Sequence, residues 1–243
     1  MDKKYLIFVP TYNEKENVTP LIETILGLNL PNTDLLFIDD NSPDGTGNIL
    51  EELKNKYSNL IIKHRTGKLG IGSAHIEGIN WAYEQKYDFV ITMDCDFTHP
   101  PEYIPEMIKK SETHNVVVTS RYLEKNGLKE WNLFRKSLTL AGHLLTRFLL
   151  RLRYDATGAF RIYSLNSIDS KIFKLVKSKG YSFFFESLFI LNYNKYSILE
   201  IPITLPARTY GHSKMRITDV WNSLKFLIYI FVVITVSPKK YKL

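Results

Sequence analysis

The chain has 243 residues, 44% hydrophobic and 23% charged, which is enough apolar matter for a real core and excludes wholesale disorder. A single cysteine, Cys95, excludes an internal disulfide framework and suits a reducing compartment. The net charge of +7 is uneven: residues 121–161 hold nine Lys/Arg against three acids, and from Arg208 onward there are seven against Asp219 alone, which points to an anionic partner such as phosphate, a membrane surface or nucleic acid.

Taken in chain order, the first half alternates strand-like and helix-like segments. Tyr5 to Val9 is a short apolar strand closed by Pro10, and Val18, Leu21, Ile22, Ile25 and Leu26 follow at the spacing of one helical face. Leu35 to Ile38 predicts a second strand, with Ile49, Leu50, Leu53 and Tyr57 marking the helix after it. Leu60 to Ile62 is a third strand, then Ile71, Ala74, Ile79 and Ala82 turn inward on a helix. Phe89 to Met93 and Val116 to Val118 are two more strands, separated by a helix carrying Ile104, Met107 and Ile108. Strands alternating with amphipathic helices predict an α/β fold, a mostly parallel sheet covered on both faces. After Ser120 the pattern changes. A helix from about Asn132 to Leu152 carries Leu138, Ala141, Leu144, Leu145, Phe148, Leu149 and Leu152 as the face expected to pack on the sheet, with Arg135, Lys136, Arg147 and Arg151 solvated. Phe226 to Val236 is an apolar run of eleven residues, short of the ~20 that span a bilayer. It is either a core element or an interfacial helix, and the basic tail Lys239, Lys240 and Lys242 favours the latter. No secretory signal pattern opens the chain, and no repeat or linker divides it, so 1–243 is expected to form one domain.

In such sheets ligands bind at the carboxyl ends of the strands. Polar residues collect there. Pro10-Thr11-Tyr12-Asn13-Glu14 offers an aromatic ring to stack on a base and a carboxylate to accept from its edge, while Thr11 or Asn13 could instead cap the next helix. Asp39-Asp40 follows strand two, and Asp44-Gly45-Thr46 is turn and cap chemistry. Lys68-Leu69-Gly70-Ile71-Gly72 has the look of a phosphate-cradling loop but lacks triphosphatase spacing. Asp94-Cys95-Asp96 ends the fourth strand, so its two carboxylates are expected on one side, where a hard divalent cation shared with phosphate oxygens would relieve their repulsion. Cys95 between them is a small filler and not a nucleophile. The six histidines lack metal-ligand spacing, and His99 is the one nearest the acidic pair.

Together these segments resemble the inverting family-2 glycosyltransferases of GT-A fold, and more narrowly the polyprenol (dolichol) phosphate mannose synthases. The motifs stand in family order: Pro-Thr-Tyr-Asn-Glu at 10–14, Asp-Asp-Asn-Ser-Pro-Asp-Gly-Thr at 39–46, Lys-Leu-Gly-Ile-Gly at 68–72, Met-Asp-Cys-Asp-Phe-Thr-His-Pro-Pro-Glu at 93–102, Ser-Arg-Tyr at 120–122, Asp-Ala-Thr-Gly-Ala-Phe-Arg at 155–161, and Gly-His-Ser-Lys at 211–214. Cys95, Ala159 and Thr119 replace residues usual in the family. The resemblance implies nucleoside contacts from Pro10, Tyr12, Glu14, Ile38 and Asp40, a Mg²⁺ or Mn²⁺ ion on Asp94 and Asp96, and the Cys95 backbone beside the sugar nucleotide. It implies phosphate contacts from Arg121, Arg135, Arg208 and Lys214, with Asp96, Arg121, Arg208 and Lys214 carrying the catalysis. The expected reaction moves mannose from GDP-mannose to a polyprenyl or dolichyl monophosphate with inversion. On this reading residues 1–122 form the nucleotide-sugar half, 123–216 the acceptor half, and 217–243 a membrane-interface tail. The expected place is peripheral on the cytosolic face of a membrane, with or without a small anchoring partner. Rival readings are a polyprenyl-phosphate glucosyltransferase using UDP-glucose, an idle sugar-nucleotide sensor, and a nucleic-acid binder; no RNA or helix-turn-helix motif supports the last.

Overall fold

The computed structural model describes residues 2–125, 127–128, 133–206 and 214–243, with the side chains of Phe134 and Arg135 outside that description. Seven strands form one sheet in the order β3-β2-β1-β4-β6-β5-β7. They are β1 (Tyr5–Thr11), β2 (Thr33–Asp39), β3 (Leu60–His64), β4 (Phe89–Thr92), β5 (Val116–Ser120), β6 (Arg161–Ser164) and β7 (Ile198–Pro202). β6 runs antiparallel between β4 and β5; every other pairing is parallel. Helices cover both faces, as the apolar alternation predicts.

The pleat divides the strand residues between two cores. Leu6 and Phe8 of β1 join Leu36, Ile38, Ala74, Ile79 and Val90 under α3 (Ile71–Glu84). Tyr5, Ile7 and Val9 join Leu21, Ile22, Ile25, Leu50, Phe37 and Met107 under α1 (Val18–Gly27), α2 (Thr46–Lys56) and α4 (Ile104–Ser111). Burial of one such Ile or Leu is worth about 1.5–3 kcal/mol, and Leu6, Ile7, Phe8 and Val9 are all fully buried. That sandwich fixes β1, and with it the loop at 10–14.

Beyond β5 lie α5 (Leu133–Leu149), the short α6 (Lys171–Lys174), α7 (Phe183–Tyr193) and α8 (Ile217–Val236). α7 is buried all round from Phe183 to Leu191. α5 overturns the expected packing and also ends three residues early. Its inward row is His143 and Thr146, with Tyr122 stacked on His143 at 4.0 Å and donating its hydroxyl to the Thr139 carbonyl. Leu138, Leu144, Leu145 and Phe148 face out, Leu144 54% exposed and Phe148 81%, while Leu149 is half-buried and Leu152, past the helix end, is buried as expected. The sheet face is already covered by α3 and α7, so α5 lies against α8 instead. α8 is also longer than the apolar run suggested. It starts nine residues earlier, at Ile217, where the Arg216 N–H donates to Asp219, and it is long and apolar enough to cross a membrane by length and composition.

Candidate active site

The strand ends bring the motif residues together. Thr11 closes β1 by donating its hydroxyl to the Ile38 carbonyl at 3.2 Å, and the Asp40 N–H returns to the Thr11 carbonyl at 3.0 Å. The loop after β2 then builds the loop after β1. Ser42 Oγ accepts the Asn13 N–H, Thr46 Oγ1 accepts that of Glu14, and Asp44 accepts that of Lys15, at 2.9, 2.9 and 3.2 Å. Neither Thr11 nor Asn13 caps α1: Asn17 stands there, donating its side-chain amide to Glu14 Oε2 at 2.6 Å. Ile38 is fully buried in the core, so it offers a ligand no side chain.

Two carboxylates at these strand ends are held by cations, Asp40 buried and Glu14 half-buried. Asp40 meets Arg65, whose Nε is 2.5 Å from Oδ1, while Nη1 donates to Ser73 Oγ at 2.7 Å and Nη2 to the Gly70 carbonyl at 3.3 Å. Burial pushes the Asp40 carboxyl up, and Arg65 pulls against it. Glu14 pairs with Lys214, whose ammonium also donates to the Asn13 carbonyl at 3.1 Å. Burial raises Glu14 as well, with Lys214 opposing. Tyr12 is half-buried, with the Lys68 ammonium 4.4 Å from its ring centre.

The acidic pair is set by a turn rather than by strand alternation, because β4 stops at Thr92. Asp94 remains 32% exposed, and its N–H donates to His99 Nδ1 at 2.9 Å, which places the His99 proton on Nε2. His99 is buried and stacks on Phe160 at 5.3 Å. Asp96 is buried, its Oδ1 accepting from Thr98 N and Oγ1 at 3.1 and 2.6 Å. Cys95 is turned into the core, and burial drives its thiol well above the ordinary range, so it contributes backbone only. Among the described residues no three His, Cys, Asp or Glu converge on one point. That donor set suits an octahedral hard cation that takes one or two carboxylates and completes its shell with phosphate oxygens and water, and it does not suit an all-protein cage.

Arg121, at the end of β5, pairs with buried Asp155 through Nε at 2.7 Å. Asp155 is itself held by Thr157, and its N–H donates to Glu200 at 2.6 Å. Arg161 is fully buried and ties Ala156, Tyr163 and Ser187 together, so the last residue of the 155–161 motif supports the loop from below. Arg208 and the side chain of Arg135 lie outside the described residues. The structure therefore brings Pro10, Tyr12, Glu14 and Asp40 to the neighbouring ends of β1 and β2, with Lys214 on Glu14 and with Asp94 and Asp96 past the end of the adjacent β4. Arg65 was missed by motif reasoning. Its signal is register: Asp39 pairs with His64 across parallel β2 and β3, which sets Asp40 beside Arg65.

A mostly parallel seven-stranded sheet covered by helices on both faces is the architecture of the GT-A glycosyltransferases. Residues 6–172 match the model of glycosyl transferase family 2; the chain belongs to that family and is a glycosyltransferase. Among curated relatives, the undecaprenyl-phosphate mannosyltransferase of Micrococcus luteus is 35% identical over 87% of each chain. The polyprenol monophosphomannose synthase of Mycolicibacterium smegmatis is 32% identical over 91% of this chain and 84% of that one. Glucosyl-3-phosphoglycerate synthase from Mycobacterium tuberculosis, solved with Mn²⁺, uridine diphosphate and phosphoglyceric acid, superposes with a TM-score of 0.66 over 95% of this chain and 78% of that one. The same enzyme with Mg²⁺ and uridine diphosphate gives 0.61. At 16 and 18% identity these two share the fold.

Proposed function

We propose that this glycosyltransferase moves mannose from GDP-mannose to a polyprenyl monophosphate with inversion, releasing GDP and a β-linked lipid-phosphate sugar. The observation that carries the reading is that the two curated relatives described above, each matching most of the chain, are by name polyprenyl-phosphate mannose enzymes. The pocket supports it. Tyr12 stacks on the base, while Glu14 and Asp40 accept from the nucleoside. Pro10 and the Ile38 backbone shape the pocket floor. Asp94 and Asp96 hold Mg²⁺ or Mn²⁺ against the donor diphosphate, where it would neutralise the charge that develops on the leaving group. Arg121, Arg135, Arg208 and Lys214 serve the phosphates of donor and acceptor. Lys214 already sits on Glu14, so an arriving diphosphate competes for a cation that is in place.

No strong general base is needed. A phosphate monoester has a second pKa near ~6 and is largely a dianion at neutral pH, so it attacks unaided. Catalysis then consists of positioning two anions and stabilising the departing one. Residues 1–122 serve the donor and 123–216 the acceptor within one unit. The outward leucines of α5 and the outward residues of α8, Trp221, Ile228, Phe231 and Val232, stand on two helices in contact and rest on the cytosolic side of a membrane, with or without a small anchoring partner. The test offers radiolabelled GDP-mannose and UDP-glucose separately with a polyprenyl phosphate and Mg²⁺, and counts label in the extracted lipid. Label is expected from GDP-mannose alone; transfer from UDP-glucose instead would overturn the donor assignment.

A further inference from the structure

The glycines of the 68–72 segment face the protein rather than a phosphate. Gly70 has φ +99°, and a Cβ there would meet the Lys179 carbonyl oxygen at 2.4 Å. A Cβ on Gly72 would meet the Gly180 carbonyl oxygen at 2.6 Å and Phe183 Cβ at 2.7 Å. The Ser73 N–H donates to the Lys179 carbonyl at 3.1 Å. Backbone is thus laid on backbone, and the position of 177–180 sets that of 70–73. On its other side the same segment reaches the donor pocket, through Arg65 to Asp40 and through Lys68 to the ring of Tyr12.

What holds 177–180 is a buried carboxylate. Glu186 of α7 is fully buried and accepts the N–H groups of Lys177 and Ser178 at 3.0 and 2.8 Å. Beside it lies the C-terminal segment. Tyr241 is fully buried, sets its ring edge-on to Phe189 at 5.8 Å, and points its hydroxyl at Glu186 Oε1 at 3.5 Å. Its carbonyl accepts from Asn194 Nδ2 at 2.7 Å, and the Pro238 carbonyl accepts from the Tyr193 hydroxyl at 2.9 Å. A tail with three lysines in its last five residues would otherwise be left in solvent; here one aromatic ring seats it in the core.

We propose that Glu186 and Tyr241 are positioning residues for the donor pocket: the C-terminal segment, seated on α7, fixes residues 177–180, which fix Gly70–Ser73 and so Arg65, Asp40 and Tyr12. This rests on the reading of that pocket as a nucleotide site. From Tyr241 to Asp40 the series runs through hydrogen bonds and close backbone approaches, and it reaches Tyr12 through the Lys68 ammonium 4.4 Å from its ring centre. Tightly packed links of this kind transmit a displacement instead of absorbing it.

The test uses the full chain in detergent with Mg²⁺, measuring GDP binding by calorimetry together with kcat and KM for donor and lipid acceptor. Tyr241→Ala unseats the ring, Tyr241→Phe removes only the hydroxyl, and Glu186→Gln leaves one carbonyl oxygen for two N–H groups. Tyr241→Ala and Glu186→Gln are each expected to raise the GDP Kd and donor KM about tenfold, the effect of one well-placed hydrogen bond. Their kcat at saturating donor and acceptor KM should stay within about twofold, and the double variant should be no worse than the weaker single one, as for residues acting in series. Tyr241→Phe should fall between. A structural role alone would lower melting temperature and active fraction without moving Kd, and folded variants with unchanged GDP affinity overturn the proposal. Should Tyr241→Ala not fold, Tyr241→Phe and Glu186→Gln decide on the same criterion. Wild-type protein that binds UDP and not GDP would overturn the donor reading alone, and the variants would then be scored with UDP. Wild type that binds neither would overturn both.

Discussion

Arg65→Met should be among the most damaging single changes near the pocket, and its cost can be worked from the contacts. The Arg65 and Asp40 side chains are only 4 and 8% exposed, and Arg65 also satisfies Ser73 and the Gly70 carbonyl. Removing the cation leaves a buried carboxylate with no counter-charge, which costs roughly 3–5 kcal/mol. For a chain of this length that corresponds to a melting temperature lower by roughly 6–20 °C. The sign of the pH dependence follows. Burial already holds the folded Asp40 pKa above its ordinary value, and losing Arg65 raises it further. The native state of the variant then binds a proton that the unfolded state releases, so its stability falls as pH rises above the unfolded carboxylate value. Urea denaturation should find the deficit large at pH 7.5 and much reduced near pH 5. Adding Asp40→Asn should restore about 1–3 kcal/mol, because the stranded charge is gone. An Arg65→Met protein that loses under about 1 kcal/mol, or one in which Asp40→Asn adds its own full cost, would refute the account.

Asp96→Asn keeps the Oδ1 acceptor for Thr98 and should fold normally, yet lose transfer by roughly 10²-fold or more; near-normal turnover in excess Mg²⁺ would sink the metal assignment. Glu14→Gln should weaken GDP and GDP-mannose binding alike, by about 1.5–3 kcal/mol in calorimetry, and unchanged GDP binding with collapsed turnover would move Glu14 to the reacting centre. Replacing Lys239, Lys240 and Lys242 should weaken binding to anionic vesicles in a salt-sensitive way, at about 1 kcal/mol per charge, whereas Phe148→Ser with Trp221→Ser should weaken it at every salt; identical salt profiles would contradict the division between charge and apolar contact. Burial raises Glu186 from 4.5 to about 7, so the native state holds a proton that the unfolded state releases, and this group lowers stability as pH climbs through that window, by about 3 kcal/mol at most. Urea midpoints at pH 5 and 8 should show that slope in wild type and its loss in Glu186→Gln, and an unchanged slope would reassign the titration.

The regular half of the fold was legible because parallel strands are buried on both faces and read as unbroken apolar runs, as β1, β2 and β4 do. The later elements resisted for identifiable reasons. β6 is four residues long and opens on a buried arginine. α7 is apolar on every side and so has no period to detect. α5 carries a helical stripe that a soluble protein would bury, but the stripe faces outward, and periodicity cannot say which way a stripe points. At the site, motif order placed Tyr12, Glu14, Asp40, Asp94, Asp96 and Arg121 at strand ends. It was silent on pairings between distant segments: Glu14 with Lys214, 200 residues on, and Tyr241 with Glu186 are products of packing alone.

The length of α8 and its contacts point in opposite directions. At about 1.5 Å per residue, a helix of its 20 residues matches a bilayer core of about 30 Å. Its ends, however, are tied to one neighbour. Near its start, Ser223 Oγ accepts from Ser182 at the head of α7 at 3.3 Å, and Phe226 lies against Phe185 at 6.3 Å. Past its end, the turn at Pro238–Tyr241 returns to Tyr193 and Asn194 at the foot of α7. α8 therefore runs beside α7 in the same direction, burying Leu227 and Ile230 and turning Ile228, Phe231, Val232 and Val236 outward. Standing it across a bilayer would strip these contacts from α7 and pull Tyr241 from beside Glu186. The proposed peripheral placement, with the helix lying flat on the membrane, keeps every one of these contacts. The proposed lipid contact and the proposed support of the donor site then fall on the same C-terminal element, so deleting residues 237–243 would loosen α8 and remove the aromatic neighbour of Glu186 in one step.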